Sequence, residues 1–152
     1  MPRNIETIVV HHSASDKSTH IDQIRSWHVA RGFVDVGYHM VVRGMGSGIF
    51  ESMPGRDLDR QGAHTIGHNR ASLGICLCGD YEIDRPSPGM IEVASQIIAE
   101  WCWEYGIDVN SIYGHGELKA TACPGKNLNI DRIKYNVAKL LNSKEKARAR
   151  IQ

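Results

Sequence analysis

No stretch of this 152-residue chain stays apolar over the ~18 positions that a membrane-crossing helix needs, so a soluble protein is expected. The opening MPRNIETIVV has neither the apolar core nor the small-residue cleavage site of a secretory signal, which points to synthesis and initial residence in the cytoplasm. Cysteine is sparse: four residues, Cys76, Cys78, Cys102 and Cys123, stand at irregular spacing, too few and too scattered for a disulfide framework, so reduced thiols are expected. Charge of one sign is missing too. A net charge of +1 provides no general field for nucleic acid, and no nucleic-acid partner is expected.

What remains is ordinary globular material, 41% hydrophobic and 23% charged, in a length suited to one domain. The segment ETIVVHH is β-branched and apolar, and reads as a buried strand that delivers His11 and His12 to its C-terminal end. Thr19 followed by Asp22 resembles a capping box, and Ile21, Ile24, Trp27 and His28 keep helical spacing, predicting a helix over about 20–31. YHMVVRG and IFES read as a hairpin around the turn MGSG, the run to residue 72 as surface loop, and SLGICLCGDY as a central strand ending at Gly79.

Ser87-Pro88 then supplies an N-cap and a first-turn proline for the longest helix, whose stripe of Met90, Val93, Ala94, Ile97, Ile98, Trp101 and Tyr105 ends at Gly106. A short strand is expected around 111–113 and a last helix over about 130–142. Strands interleaved with helices predict an α/β domain: one mixed central β-sheet flanked by about three helices. Residues 143–152 follow as a basic tail.

Eight histidines are more than composition requires. In YGHGELKATACPG, His115 and Cys123 lie eight apart on one loop, and both are ligand types that suit a tetrahedral zinc ion. Spacing alone balances that reading against a loop histidine bonded to backbone and a buried thiol before a proline. Cys76 and Cys78 are separated by one residue in a strand-like run, which suits core packing, as does the position of Cys102 between two tryptophans. His39 points away from Tyr38 on a strand, which suits a packed structural role.

The ordered series IVVHHSAS, the WH of the first helix, DVGYHMVV, GRD, GAHTIGHNRASLGICLCGDY and GHGELKATACPG resembles the type 2 N-acetylmuramoyl-L-alanine amidases, the family that includes the amidase-type phage lysozymes and the peptidoglycan recognition proteins. The likeness runs from about residue 5 to residue 141. It implies one Zn2+ per chain, held by His11 rather than His12, together with His115 and Cys123. It further implies hydrolysis of the amide joining N-acetylmuramic acid to L-alanine, with residues 1–142 as the catalytic domain and no separate cell-wall-binding domain expected.

By the same resemblance Tyr38 and Thr121 take the catalytic positions beside the metal. Threonine stands at 121 where the phage lysozymes carry lysine, so it can hydrogen-bond an oxyanion but not neutralise one. The glutamate that some branches place on the strand GICLCG is absent, and Glu117 is expected to support His115 from behind. His64, Asn69 and Arg70 are expected to line the muropeptide groove, Arg70 by pairing with a stem-peptide carboxylate. The implied setting is a monomeric phage endolysin that waits in the host cytoplasm and acts on peptidoglycan after release, its basic tail touching the outer membrane or anionic wall polymers. The alternatives are a wall-recycling amidase and a peptidoglycan-binding module without activity.

Overall fold

The computed structural model describes residues 3–151, so Met1, Pro2 and, from the tail, Gln152 lie outside it. Its elements are β1 (Thr7–His12), α1 (Ile21–Ala30), β2 (Met40–Gly44), β3 (Phe50–Pro54), β4 (Ser72–Leu77), α2 (Pro88–Tyr105), β5 (Ile112–Gly114), α3 (His115–Leu118) and α4 (Ile130–Ile151). The strands form one sheet in the order β3-β2-β4-β1-β5. β1 runs parallel to β4 and β5, β2 runs parallel to β4, and only β2 and β3 are antiparallel. The expected mixed sheet is therefore present, with three long helices and the single turn α3.

β1 and β4 lie at the centre with both faces covered, which is why they read as nearly continuous apolar runs rather than alternations. On one face Ile8, Val10, Leu73, Ile75 and Leu77 pack with Met90, Ala94, Ile98, Ile133 and Val137 of α2 and α4. On the other, Val41, Cys76 and Cys78 pack with Ile21 and Ile24 of α1 and with Val36. Cys76, Cys78 and Cys102 are all buried and free, as expected.

Helix ends follow local chemistry. Ser87 Oγ accepts from the Met90 N–H at 3.2 Å, Pro88 opens α2, and Gly106 closes it at φ 67°. α1 departs from expectation by one residue. His20 is its N-cap, with Nδ1 accepting from the Asp22 N–H at 3.1 Å, while the Thr19 hydroxyl donates to the Asp16 carbonyl at 2.6 Å.

The last helix is longer than expected: α4 continues through the basic tail to Ile151 instead of ending near 142. The extension folds back on α2. Lys144 pairs with Glu100 at 2.9 Å, and Lys144 and Arg148 sit 5.5 and 6.0 Å from the Trp103 ring.

Candidate metal centre

Two strand ends and one loop make the site. The register sets His11 against Cys76 on β4 and Val10 against Gly114 on β5, so His115, the next residue after β5, arrives beside His11. The loop after α3 returns to bring Cys123 to the same place. One nitrogen of His11, one of His115 and Cys123 Sγ all lie within 4.8 Å of one another. This is the carboxyl edge of parallel strands, where the polypeptide leaves the sheet and side chains can converge.

The orientation of each group is specified by its hydrogen bonds. His11 Nδ1 faces Cys123 Sγ at 3.6 Å, while its Nε2 lies 2.9 Å from His64 Nδ1 and 3.3 Å from Thr65 Oγ1. The His12 backbone N–H donates to Cys123 Sγ at 3.4 Å. The His12 ring turns away, its Nδ1 accepting from the Tyr81 N–H at 3.1 Å, so of the two adjacent histidines only His11 joins the cluster.

Burial, then the neighbouring His64 and His115, hold His11 well below the ordinary imidazole range, which keeps it neutral. His115 is shifted down by burial and by Lys119. Cys123 is pushed up to about 11 by burial, partly offset by the His12 N–H. Two neutral imidazoles and one thiol, with a cation able to displace the thiol proton, are a donor set that fits zinc.

Tyr38 stands against this cluster, its ring centroid 5.0 Å from His11 and 5.3 Å from His28. Burial and the nearby sulfurs of Cys76 and Cys123 push its hydroxyl well above the ordinary phenol value, so it stays a donor. It is carried by a crowded turn: the Gly37 N–H donates to His28 Nδ1 at 2.9 Å, and the Arg56 N–H to the Tyr38 carbonyl at 2.9 Å. Thr121 is exposed, and its Oγ1 accepts from the Cys123 N–H at 3.3 Å. Glu117 also acts on backbone: its Oε1 accepts from the Gly114 N–H at 2.9 Å, bracing the turn that presents His115 rather than touching the His115 ring.

The three residues expected in a substrate groove have different surroundings. His64 is buried beneath His11, because the loop carrying it tucks over Gly74. Asn69 is committed internally, its Oδ1 accepting from the N–H groups of His64 and Thr65 at 2.9 and 2.8 Å. Arg70 is exposed just before Ser72, which pairs with Thr7, so it lies toward the opposite end of the strands from His11. His39 is the packed residue expected of it: Nδ1 accepts from the Gly74 N–H at 3.0 Å and Nε2 donates to the Arg60 carbonyl at 2.8 Å.

The contact between His64 and His11 escapes sequence reading, because 53 residues separate the two and no local spacing links them.

Known proteins resemble this chain in both sequence and fold. The pattern of the N-acetylmuramoyl-L-alanine amidase family matches residues 1–126. An endolysin of Klebsiella phage KP32 is 32% identical over 128 residues, covering 80% of this chain and 81% of the phage protein. A peptidoglycan-recognition protein of Drosophila simulans is 30% identical over 132 residues, covering 82% of this chain and 70% of the insect protein. In structure, the N-acetylmuramoyl-L-alanine amidase LysC of Clostridium intestinale superposes with a TM-score of 0.78 at 28% identity, over 91% of this chain and 86% of that one. With the fold, the ordered motifs and the converging side chains in agreement, the chain belongs to the N-acetylmuramoyl-L-alanine amidase family.

Proposed function

We propose that this protein is a zinc-dependent N-acetylmuramoyl-L-alanine amidase that cleaves the lactyl amide linking N-acetylmuramic acid to L-alanine in peptidoglycan. The observation that carries the reading is the convergence of His11, His115 and Cys123, three ligand atoms within 4.8 Å, with the protonated Tyr38 beside them. Three protein ligands leave a fourth tetrahedral position, the mark of a catalytic rather than a structural zinc site. His11, His115 and Cys123 would hold the ion, which would supply the Lewis acidity needed to activate water near neutral pH and polarise an amide carbonyl.

The remaining work falls to side chains. Tyr38 donates its O–H to the oxygen that gains charge as the amide carbon becomes tetrahedral. Thr121, whose Oγ1 already accepts from the Cys123 N–H, has its own proton free for the same oxygen or for orienting substrate. Glu117 braces Gly114 at the entrance to α3 and so steadies His115.

Among biological settings we favour an endolysin, supported by the similarity to the Klebsiella phage KP32 protein of that name. A binding module without activity is favoured by no feature of the site, since all three ligands and Tyr38 are in place.

Digestion of purified sacculi tests the reading: released stem peptides beginning with free L-alanine are expected, together with one zinc per chain by elemental analysis. New reducing sugar ends, or sacculus binding by a zinc-free protein that releases nothing, would refute it. Cys123→Ser should lose zinc and activity, whereas Cys76→Ser should keep its zinc. For the tail, removing residues 143–152 should weaken lysis of intact outer-membrane-bearing cells while leaving digestion of bare sacculi unchanged. Equal loss on both would mark the tail as a structural brace on α2 instead.

A further inference from the structure

His11 can serve a metal only through an unprotonated Nδ1, the atom that faces Cys123. A neutral imidazole carries its single proton on one nitrogen or the other, so something must hold that proton on Nε2. We propose that His64 is a positioning residue: its Nδ1 accepts the His11 Nε2 proton, which leaves the His11 Nδ1 lone pair directed at the space shared with His115 and Cys123. This assignment rests on the metal reading given above.

The 2.9 Å separation of His11 Nε2 and His64 Nδ1 admits two proton arrangements. In the first, His11 donates to His64. In the second, His64 donates, and the His11 proton moves to Nδ1 and turns toward Cys123 Sγ. The surroundings favour the first. Cys123 Sγ, a weak acceptor, already receives the His12 N–H at 3.4 Å, so it is better suited to donate to His11 Nδ1 than to accept from it.

Around His64 every polar atom fits the same arrangement. Thr65 Oγ1, 3.3 Å from His11 Nε2 and 3.0 Å from His64 Nδ1, is placed to accept a share of the His11 proton, and the His64 proton on Nε2 faces Ser72 Oγ at 3.3 Å.

The ring is also held mechanically. Asn69 Oδ1 fastens the backbone N–H groups of His64 and Thr65. Two glycines make the slot: a Cβ on Gly74 would lie 2.6 Å from the His64 ring, and one on Gly62 would lie 2.7 Å from its Cδ2. A group so placed orients a ligand without touching the ion, a function whose loss typically weakens metal affinity 10- to 100-fold.

The test uses His64→Leu, which removes the acceptor, and His64→Asn, whose amide oxygen branches from Cγ as Nδ1 does. Zinc affinity is measured by competition with a chromophoric chelator, and the His11 tautomer by 15N–1H NMR of the zinc-free protein at neutral pH. Wild-type His11 should carry its proton on Nε2. His64→Leu should bind zinc at least tenfold more weakly with the His11 tautomers mixed, and His64→Asn should recover affinity to within about threefold.

Unchanged affinity in His64→Leu, or no recovery in His64→Asn, overturns the proposal. Should His64→Leu fail to fold, the wild-type tautomer still decides: a His11 proton found on Nδ1 in the zinc-free protein is incompatible with it. That measurement is also independent of whether wild type takes up zinc, so failure of the metal reading and failure of the His64 assignment give different results.

Discussion

Tyr38 and Thr121 are the two hydroxyl residues proposed to act beside the metal, and they are held differently. Tyr38 is wedged between the His11 and His28 rings with its proton secured by burial and nearby sulfurs, whereas Thr121 is exposed and bonded to the turn that carries Cys123. A preorganised donor contributes more than one that must be ordered first. Tyr38→Phe should therefore lower kcat by ~10²- to 10³-fold with zinc content unchanged, and Thr121→Val by about tenfold or less. Steady-state hydrolysis of a soluble muropeptide, with metal analysis of each variant, checks both; a larger loss in Thr121→Val than in Tyr38→Phe would reverse the assignment. Both positions were named from the sequence only through the resemblance of the short ordered motifs around them to a known family. The burial of His64 and the internal hydrogen bonds of Asn69 were not legible, since a polar loop rich in glycine and histidine looks the same whether it lines a groove or closes over a sheet.

Among the connecting segments, the turn into β2 bears most on the proposed function, because it delivers Tyr38. Gly37 is packed so closely there that a Cβ would stand 2.1 Å from the Ala63 carbonyl oxygen. Gly46, in the hairpin between β2 and β3, has φ 84° but open space around it. Gly37→Ala should thus cost at least about 2 kcal/mol, since backbone must move, while Gly46→Ala should cost only the ~1 kcal/mol of a left-handed alanine. Thermal unfolding of the two variants orders them, and comparable melting temperatures would contradict this account of the turn. The strands themselves were readable from apolar runs, and α2 from its Ser-Pro start and Gly stop. The extent of α4 was not, because Lys144 and Arg148 gain their anchor only from Glu100 and Trp103 on another helix.

Stability of the folded chain as a whole should fall in mild acid. His39 is 1% exposed, and burial, followed by the charges of Arg3 and Arg56 and opposed by its bond to the Arg60 carbonyl, brings its pKa from 6.5 to about 4. Between those values the unfolded chain binds a proton that the folded one refuses, so stability is complete above pH 6.5 and drains away as pH falls toward 4. From pH 7.5 to pH 5 this residue alone should remove about 2 kcal/mol. Urea unfolding at the two pH values measures the loss, and His39→Asn, which keeps an acceptor for the Gly74 N–H, should shrink the difference by about that amount. An undiminished difference in the variant would assign the acid sensitivity to other buried histidines.

By itself the amino-acid sequence determined the α/β class and the central strands, because apolar runs and caps are local patterns that survive without a fold. The His-x7-Cys loop offered two ligand types, and only the resemblance of the ordered motifs to a known family added His11 as a third candidate. Only the tertiary structure decided which nitrogen of His11 faces Cys123, that His64 stands behind it, and that the basic tail is helix laid along α2. Those outcomes depend on strand register and on contacts between segments far apart in the chain. A one-dimensional pattern carries no record of them until β1, β4 and β5 are brought side by side.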